Sequence, residues 1–126
     1  MNQTGQAQEH NARKLTTHQK AVLIQVLRTF PDESVEVRYT ADGEDALAYA
    51  QDFVAVFKAI GWNVTGPEAE GVGNRSALAL LVHDAKLPAC VEALRDALRI
   101  YESGVETRCG AGSPGHTFTL WVGAVA

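Results

Sequence analysis

The spacing of hydrophobic residues divides the chain into alternating helical and extended segments. Between residues 17 and 30 the apolar positions recur at steps of three and four, which is the period of one helix face. These positions are Leu23, Val26, Leu27 and Phe30. Just before them, Thr16 and Gln19 have the spacing of a capping box, in which each side chain accepts a backbone N–H. The pattern predicts a helix from Thr17 to Phe30 that stops before Pro31.

A strand and a second helix are predicted next. Val35–Tyr39 alternates apolar and charged residues, as a half-buried strand does. After the turn 40–43, helical spacing returns and continues until Gly61, which is expected to end the helix in a left-handed conformation. Its apolar positions are Ala46, Ala50, Phe53, Val54, Phe57 and Ile60. Asp42 is the expected N-cap of this helix.

The rest of the chain repeats the order of strand, helix and strand. Trp62–Thr65 reads as a short strand, and a turn-rich loop follows from 66 to 76. Ala77–His83 is apolar on both faces and is therefore expected to be central in a sheet. A third helix is predicted from Pro88 until Gly104 ends it.

Two segments compete to close the second unit. Val105–Cys109 is either a strand or an extended loop, and Thr117–Val122 is the last predicted strand. Between them lies a flexible turn, Gly110–His116, whose G-x-G pattern does not open a helix and so does not predict a dinucleotide site.

A shift of 44 residues aligns the two strand–helix units. The aligned pairs are Val35 with Ala79, Val37 with Leu81, Leu47 with Val91, Ala50 with Leu94, Val54 with Leu98, and Phe57 with Tyr101. This duplication predicts an α+β fold of the ferredoxin-like split βαβ type (βαββαβ) with an extra N-terminal helix. The alternative is an open three-layer α/β sheet, in which the first helix covers the second face.

Composition limits the classes of protein that the chain can belong to. Its 126 residues, 46% of them hydrophobic, suit one domain that folds without metal or disulfides. We expect a flexible polar tail at 1–14 and a single domain at 15–126. The net charge of -4 argues against a nucleic-acid partner. No apolar run is long enough to span a bilayer and no signal peptide is evident, so a soluble, cytoplasmic protein is expected.

One stretch carries a resemblance to known domains. Val35–Thr65 runs from a strand through Asp-Gly-Glu-Asp-Ala and an alanine-rich helix to Gly-Trp-Asn-Val, and Leu-Trp-Val-Gly follows at 120–123. This pattern resembles uncharacterised soluble domains of short bacterial proteins, some of which carry a transmembrane segment ahead of the domain. The resemblance implies no activity and no catalytic residue.

A looser similarity is to ACT-type regulatory domains, which have a similar predicted topology. In that family the turn after the first strand often contains Asp and Gly and binds a small effector at a subunit interface. The similarity implies such a role for Asp42 and Gly43.

Two turns are candidate ligand sites. Asp42, Gly43 and Glu44 suit a cationic or amino-acid-like ligand, because their carboxylates would repel phosphate; ordinary helix capping is the alternative. His83 and Asp84 follow a strand, where open α/β sheets place their ligands, or they are structural turn residues. Neither the two cysteines nor the four histidines have metal-binding spacing, so no metal or cofactor is expected.

The leading interpretation is a non-enzymatic binding or interaction module that self-associates. Val22 and Ile24 are apolar residues outside the core stripe of the first helix, and Tyr39 and Trp121 are expected to make an open sheet face adhesive. A homo-oligomer or a protein partner is expected. The alternative is a small-molecule-sensing regulatory domain with its site near the first strand–helix turn, and a small enzyme is the third hypothesis.

Overall fold

A computed structural model describes residues 13–43, 45–70, 77–102 and 104–124. Within these residues the chain forms three helices and five strands. In chain order they are α1 (Thr17–Leu27), β1 (Ser34–Tyr39), α2 (Ala46–Ala59), β2 (Asn63–Ala69), β3 (Leu78–Val82), α3 (Ala89–Leu98), β4 (Val105–Cys109) and β5 (Phe118–Val122). The predicted α+β class is confirmed.

The five strands form one mixed sheet in the order β2-β1-β5-β3-β4. β1 is parallel to both β2 and β5, and β3 is parallel to β4 but antiparallel to β5. Each strand–helix–strand unit therefore pairs its own two strands directly, whereas the split βαβ arrangement separates them. The ferredoxin-like topology is not confirmed, because β5 lies between the units rather than within one.

Both candidates for the closing strand pair in the sheet. Val105–Cys109 pairs with Leu78–Val82 along its whole length and closes the second unit. Phe118–Val122 instead joins the two units, since it pairs with β1 on one side and with β3 on the other.

All three helices lie on one face of this sheet. α2 packs on the β1, β2 and β5 part, α3 packs on β4, and α1 packs on α2 and α3. The first helix therefore does not cover the opposite face as the three-layer alternative requires. We call that opposite face the second face. Its central side chains are Glu36, Arg38, Ala79, Leu81, Glu106, Arg108, Thr119 and Trp121.

The strand pairs predicted by the 44-residue shift do not share a face of the sheet. Val35 and Val37 lie in the helix-covered core with Leu78, Leu80 and Val82. Ala79, which the shift aligns with Val35, faces the second face instead. The error arises because β3 is apolar at every position, so its sequence contains no alternation from which a face can be assigned.

α1 begins as predicted and ends earlier. Thr16 Oγ1 accepts the N–H of Gln19 at 3.1 Å, and the Gln19 side chain accepts the N–H of Thr16 at 2.9 Å, so the capping box is confirmed. The helix ends at Leu27 rather than Phe30, and a turn closes the segment with the Phe30 N–H bonding to the Leu27 carbonyl.

The start of α2 differs from the prediction. Asp45, not Asp42, occupies the N-cap position, and its side chain makes no capping bond. Its carboxylate instead accepts bonds from Arg13, at 2.7 Å from the backbone N–H and at 2.9 and 3.0 Å from the guanidinium. Burial raises the pKa of Asp45, but the bonds from Arg13 outweigh it and the pKa is lowered. Arg13, assigned to the tail by the sequence, thus anchors the chain; residues 1–12 lie outside the described residues.

β2 is longer than the predicted strand 62–65. It continues to Ala69, with a register shift opposite Glu36 and Arg38. Gly66 has a φ of +103°, and a Cβ there would collide with the carbonyl oxygen of Val37. Glycine therefore lets β2 follow β1 through the segment that the sequence assigned to a loop.

Aromatic rings fill the core between α2 and the sheet. The Phe57 ring stacks on Trp62 at 5.4 Å and meets the edge of Phe118 at 6.1 Å. The Trp62 indole N–H donates to the Phe30 carbonyl at 2.7 Å, which connects the turn after α1 to the residue that precedes β2. Such ring pairs add to the free energy of burial.

Both cysteines are free thiols. Cys90 is buried in the core, and burial raises its pKa to about 12. Cys109 is exposed at the end of β4. Among the described residues, no helix has the length and apolar character of a membrane span, and no group of three or more His, Cys, Asp or Glu residues is placed to hold a metal ion.

Candidate functional site

The second face has its side chains in two rows that cross all five strands. The first row, given in sheet order, is Glu68, Arg38, Trp121, Ala79 and Glu106. The second row is Thr65, Glu36, Thr119, Leu81 and Arg108. This face is therefore polar and charged, unlike the apolar face under the helices.

Glu36 is the most buried charge of the second face, at 6% exposure. Its Oε1 accepts bonds from Ser113 Oγ at 2.7 Å and from Thr119 Oγ1 at 2.9 Å. Its Oε2 accepts a bond from Arg38 Nη2 at 2.7 Å. A buried carboxylate is stable only with such partners, and here both oxygens have them.

These donors set the charge of Glu36. The bond from Arg38 and those from Ser113 and Thr119 lower its pKa to about 2, although burial acts in the opposite direction. The same ion pair raises the pKa of Arg38, whose guanidinium also approaches Glu70 at 3.5 Å and Glu68 at 4.0 Å. Glu36 is therefore a fixed hydrogen-bond acceptor, and it is too acidic to act as a general acid or base near neutral pH.

Part of the second face is covered by residues 110–117, which we call the cover loop. Its N–H groups at Gly110 and Ala111 donate to the carbonyls of Asp84 and Val82, at 3.1 and 2.9 Å. Gly112 passes so close to the end of β3 that a Cβ would meet the Leu81 carbonyl oxygen at 2.7 Å. The segment predicted to be a flexible turn is thus fastened to the sheet at several points.

Two buried polar atoms of this region have no partner in the part of the chain that the structure describes. They are the indole Nε1 of Trp121 and the Nδ1 of His116. Trp121 is only 8% exposed and lies between Arg38 and Ala79. The other ring nitrogen of His116 lies 3.3 Å from Thr65 Oγ1.

The predicted ligand residues lie at opposite ends of the sheet. Asp42 and Gly43 follow the end of β1, and His83 and Asp84 follow the end of β3. Because β1 is parallel to β5 and β3 is antiparallel to it, these ends are far apart. Asp42 accepts a bond from the Thr40 hydroxyl, and His83 and Asp84 are exposed. Glu44 lies outside the described residues.

The predicted interface residues do not form one patch. Ile24 and Tyr39 pack against the core from the helix-covered side, and Val22 is half-buried on α1. Trp121 belongs to the second face and is nearly buried. No common surface therefore joins these four side chains.

An outer edge of the sheet presents backbone groups instead. β4 is the last strand on its side. The Gly104 carbonyl accepts the Leu78 N–H and the Gly110 N–H donates to Asp84, so even-numbered residues of this segment direct their backbone groups inward, towards β3. Backbone groups alternate along a strand, and those of Val105, Thr107 and Cys109 therefore point outward. Within the described part of the chain, one hydrogen bond reaches these outward groups, from Arg99 Nη2 to the Val105 carbonyl at 3.3 Å.

The two edges of the sheet differ in how they are protected. The β2 edge contains Gly66 and Pro67 and a register shift, which are devices that hinder further pairing. β4 has neither proline nor bulge and pairs regularly with β3. Ile100, 73% exposed, lies between the end of α3 and the start of β4, as does Tyr101. We call β4 with these two residues the outer edge.

The residues that organise the second face were not predicted as a site. The alternation of Val35–Tyr39 predicts only that Glu36 and Arg38 lie on the solvent side of a half-buried strand. Their spacing of two places them on one face, and this is the one local signal of their ion pair. No local sequence pattern predicts that Ser113 and Thr119 contact Glu36, because these contacts depend on how the cover loop and β5 pack against β1.

Comparisons with known proteins add no relative: no protein-family model matches the chain, and neither curated proteins nor solved structures give a significant match. The resemblances described above therefore stay predictions.

Proposed function

We propose that this chain is a non-enzymatic interaction module that self-associates, and that it does so through the outer edge. The observation that carries the proposal is the regular edge of β4, which no strand of the described residues covers, with outward backbone groups at Val105, Thr107 and Cys109. An exposed strand edge is a template for a further strand. Ile100 adds exposed apolar surface beside that template.

The size of this edge indicates a weak association. A stable protein interface buries about 800 Å² on each partner. One five-residue strand with one or two apolar side chains offers less than that. Reversible self-association that depends on protein concentration is therefore expected, rather than an obligate dimer.

Sedimentation velocity over a wide range of protein concentrations tests this proposal. The mean sedimentation coefficient of the native chain is expected to rise from the monomer value towards that of a dimer. The Thr107→Pro variant should stay monomeric, because proline removes an outward N–H and its ring hinders strand pairing. A native chain that remains monomeric up to about 1 mM, the Kd of the weakest association worth considering, would contradict the proposal.

The sensing alternative is not favoured by a specific observation. Its residues Asp42 and Gly43 lie at the opposite end of the sheet from His83 and Asp84. The comparison with ACT-type domains would place an effector at a subunit interface, and Asp42 does not belong to the outer edge.

A further inference from the structure

We infer that the partner strand at the outer edge is β4 of a second copy, paired antiparallel with Thr107 opposite Thr107 of the other chain. This inference rests on the proposed self-association and specifies its register. The product would be one continuous sheet across both copies, with the same edge used by each, as in a two-fold symmetric dimer.

The backbone of β4 suits this register. Val105, Thr107 and Cys109 direct their N–H and C=O groups outward. In the register centred on Thr107, the two Thr107 residues exchange hydrogen bonds, and Val105 of each copy exchanges bonds with Cys109 of the other. Every outward group therefore meets another outward group, which is the requirement of an antiparallel ladder.

The charged side chains of β4 select the same register. Glu106 and Arg108 both lie on the second face, where they form an ion pair of 2.6 Å within one chain. When Thr107 is the centre, Glu106 of each copy lies directly opposite Arg108 of the other. Opposite charges in directly facing positions stabilise a strand pair, and like charges destabilise it. A parallel pairing in register would place Glu106 against Glu106, and a shift of the antiparallel pairing removes both opposite-charge pairs.

The layers of the fold permit this dimer. A two-fold axis perpendicular to the sheet reverses the strand direction and keeps the helices of both copies on the same side. α3, which packs on β4, would then lie nearest to α3 of the second copy. Ile100, which lies between α3 and β4, adds exposed apolar surface beside the pairing strands.

The charge pattern points to a second copy rather than to an unrelated strand. Glu106 and Arg108 are symmetric about Thr107 with opposite signs, so the edge is complementary to itself. A different partner would need the same pattern of opposite charges by coincidence.

Charge reversal tests the register directly. Glu106→Arg places Arg against Arg in both cross-strand pairs, and Arg108→Glu places Glu against Glu. Each single variant alone is expected to self-associate at least about tenfold more weakly than the native chain, since two favourable pairs become repulsive. An equimolar mixture of the two variants should associate with native affinity, because every facing pair then has opposite charges. The double variant E106R/R108E should also dimerise like the native chain.

Matched controls separate these effects from net charge and folding. Glu70→Arg and Lys58→Glu make the same changes in charge at exposed positions away from both the outer edge and α3, and they are expected to leave association unchanged. Thermal unfolding of each variant confirms that it is folded.

The outcomes distinguish the two proposals. A native dimer whose affinity does not change in the single variants would overturn the β4 register and leave self-association standing. Single variants that fail to associate when mixed would also overturn the register. A native chain that is monomeric throughout overturns the proposed function itself.

Discussion

Replacing Phe57 with alanine is expected to lower the free energy of unfolding by about 3–5 kcal/mol, the range observed when large aromatic side chains are truncated in a core. Phe57 is fully buried, and its ring contacts Phe53, Trp62 and Phe118. The variant leaves a cavity at the point where α2, the start of β2 and the start of β5 meet. Since small domains have only about 5–15 kcal/mol of stability, denaturant titration should show a large shift of the midpoint.

Tyr101→Ala is the matched control for this substitution. The 44-residue repeat aligns Tyr101 with Phe57. In the structure α3 ends at Leu98 and Tyr101 is 37% exposed, so its truncation should cost less than about 1 kcal/mol. Equal losses in the two variants would contradict the placement of these side chains.

Replacing Glu36 with alanine is expected to cost about 2–4 kcal/mol. The substitution leaves the hydroxyls of Ser113 and Thr119 without their acceptor and removes the closest carboxylate from Arg38. Unpaired buried polar groups and broken buried ion pairs are costly. We also expect the cover loop to become more accessible to protease, because Ser113 is one of its attachments to the sheet.

The stability due to Glu36 should depend on pH in a defined direction. Its folded-state pKa is lowered from 4.5 to about 2, so the folded state favours the charged form. The contribution, about 3 kcal/mol from the size of this shift, is fully present above pH 4.5 and is lost as pH falls towards 2. The difference in unfolding free energy between the native chain and Glu36→Ala should therefore shrink over this range.

Glu106→Ala provides the control for Glu36. Glu106 and Arg108 have the same spacing as Glu36 and Arg38 and lie on the same face, but their side chains are 31% and 43% exposed. Exposed ion pairs contribute about 0–1 kcal/mol. A loss at Glu106 as large as that at Glu36, measured at protein concentrations where the chain is monomeric, would contradict the role of burial.

The local structure of this chain is largely readable from the sequence. Three features depend only on residues that are close together in the sequence. They are the capping box of Thr16 and Gln19, the helical face that contains Phe53 and Phe57, and the alternation of Val35–Tyr39. Each predicted element was found, with changes at its ends. α1 stops at Leu27, and the residues between it and Pro31 form a turn. β2 is longer than predicted because Gly66, which has no Cβ, can lie against the Val37 carbonyl oxygen.

The order of the strands could not be predicted in the same way. The position of β5 between β1 and β3 depends on contacts between residues more than 30 positions apart, such as Val37 with Leu120 and Leu80 with Leu120. Because β3 is apolar at every position, the sequence also did not predict which of its residues face the helices. The proposed function depends on this order, because it separates Asp42 from His83 and leaves β4 at the edge of the sheet.

The candidate functional residues of the second face and of β4 could not be predicted from the sequence for a related reason. Glu36 is buried because Ser113 and Thr119 meet it from distant parts of the chain. Glu106 and Arg108 look like ordinary solvent-facing residues until β4 is known to be an edge strand. In the proposed dimer their opposite charges face each other across two β4 strands, an arrangement that the sequence alone does not predict.

Amide hydrogen exchange followed residue by residue at low and high protein concentration is the most direct test of self-association through the outer edge. The N–H groups of Val105, Thr107 and Cys109 point outward, while those of Glu106 and Arg108 point towards β3. We predict that exchange at the three outward amides slows markedly as the concentration rises, and that exchange at the two inward amides changes little. Exchange at Thr107 that stays equally fast at every concentration, while the chain sediments as a dimer, would show that the interface lies elsewhere.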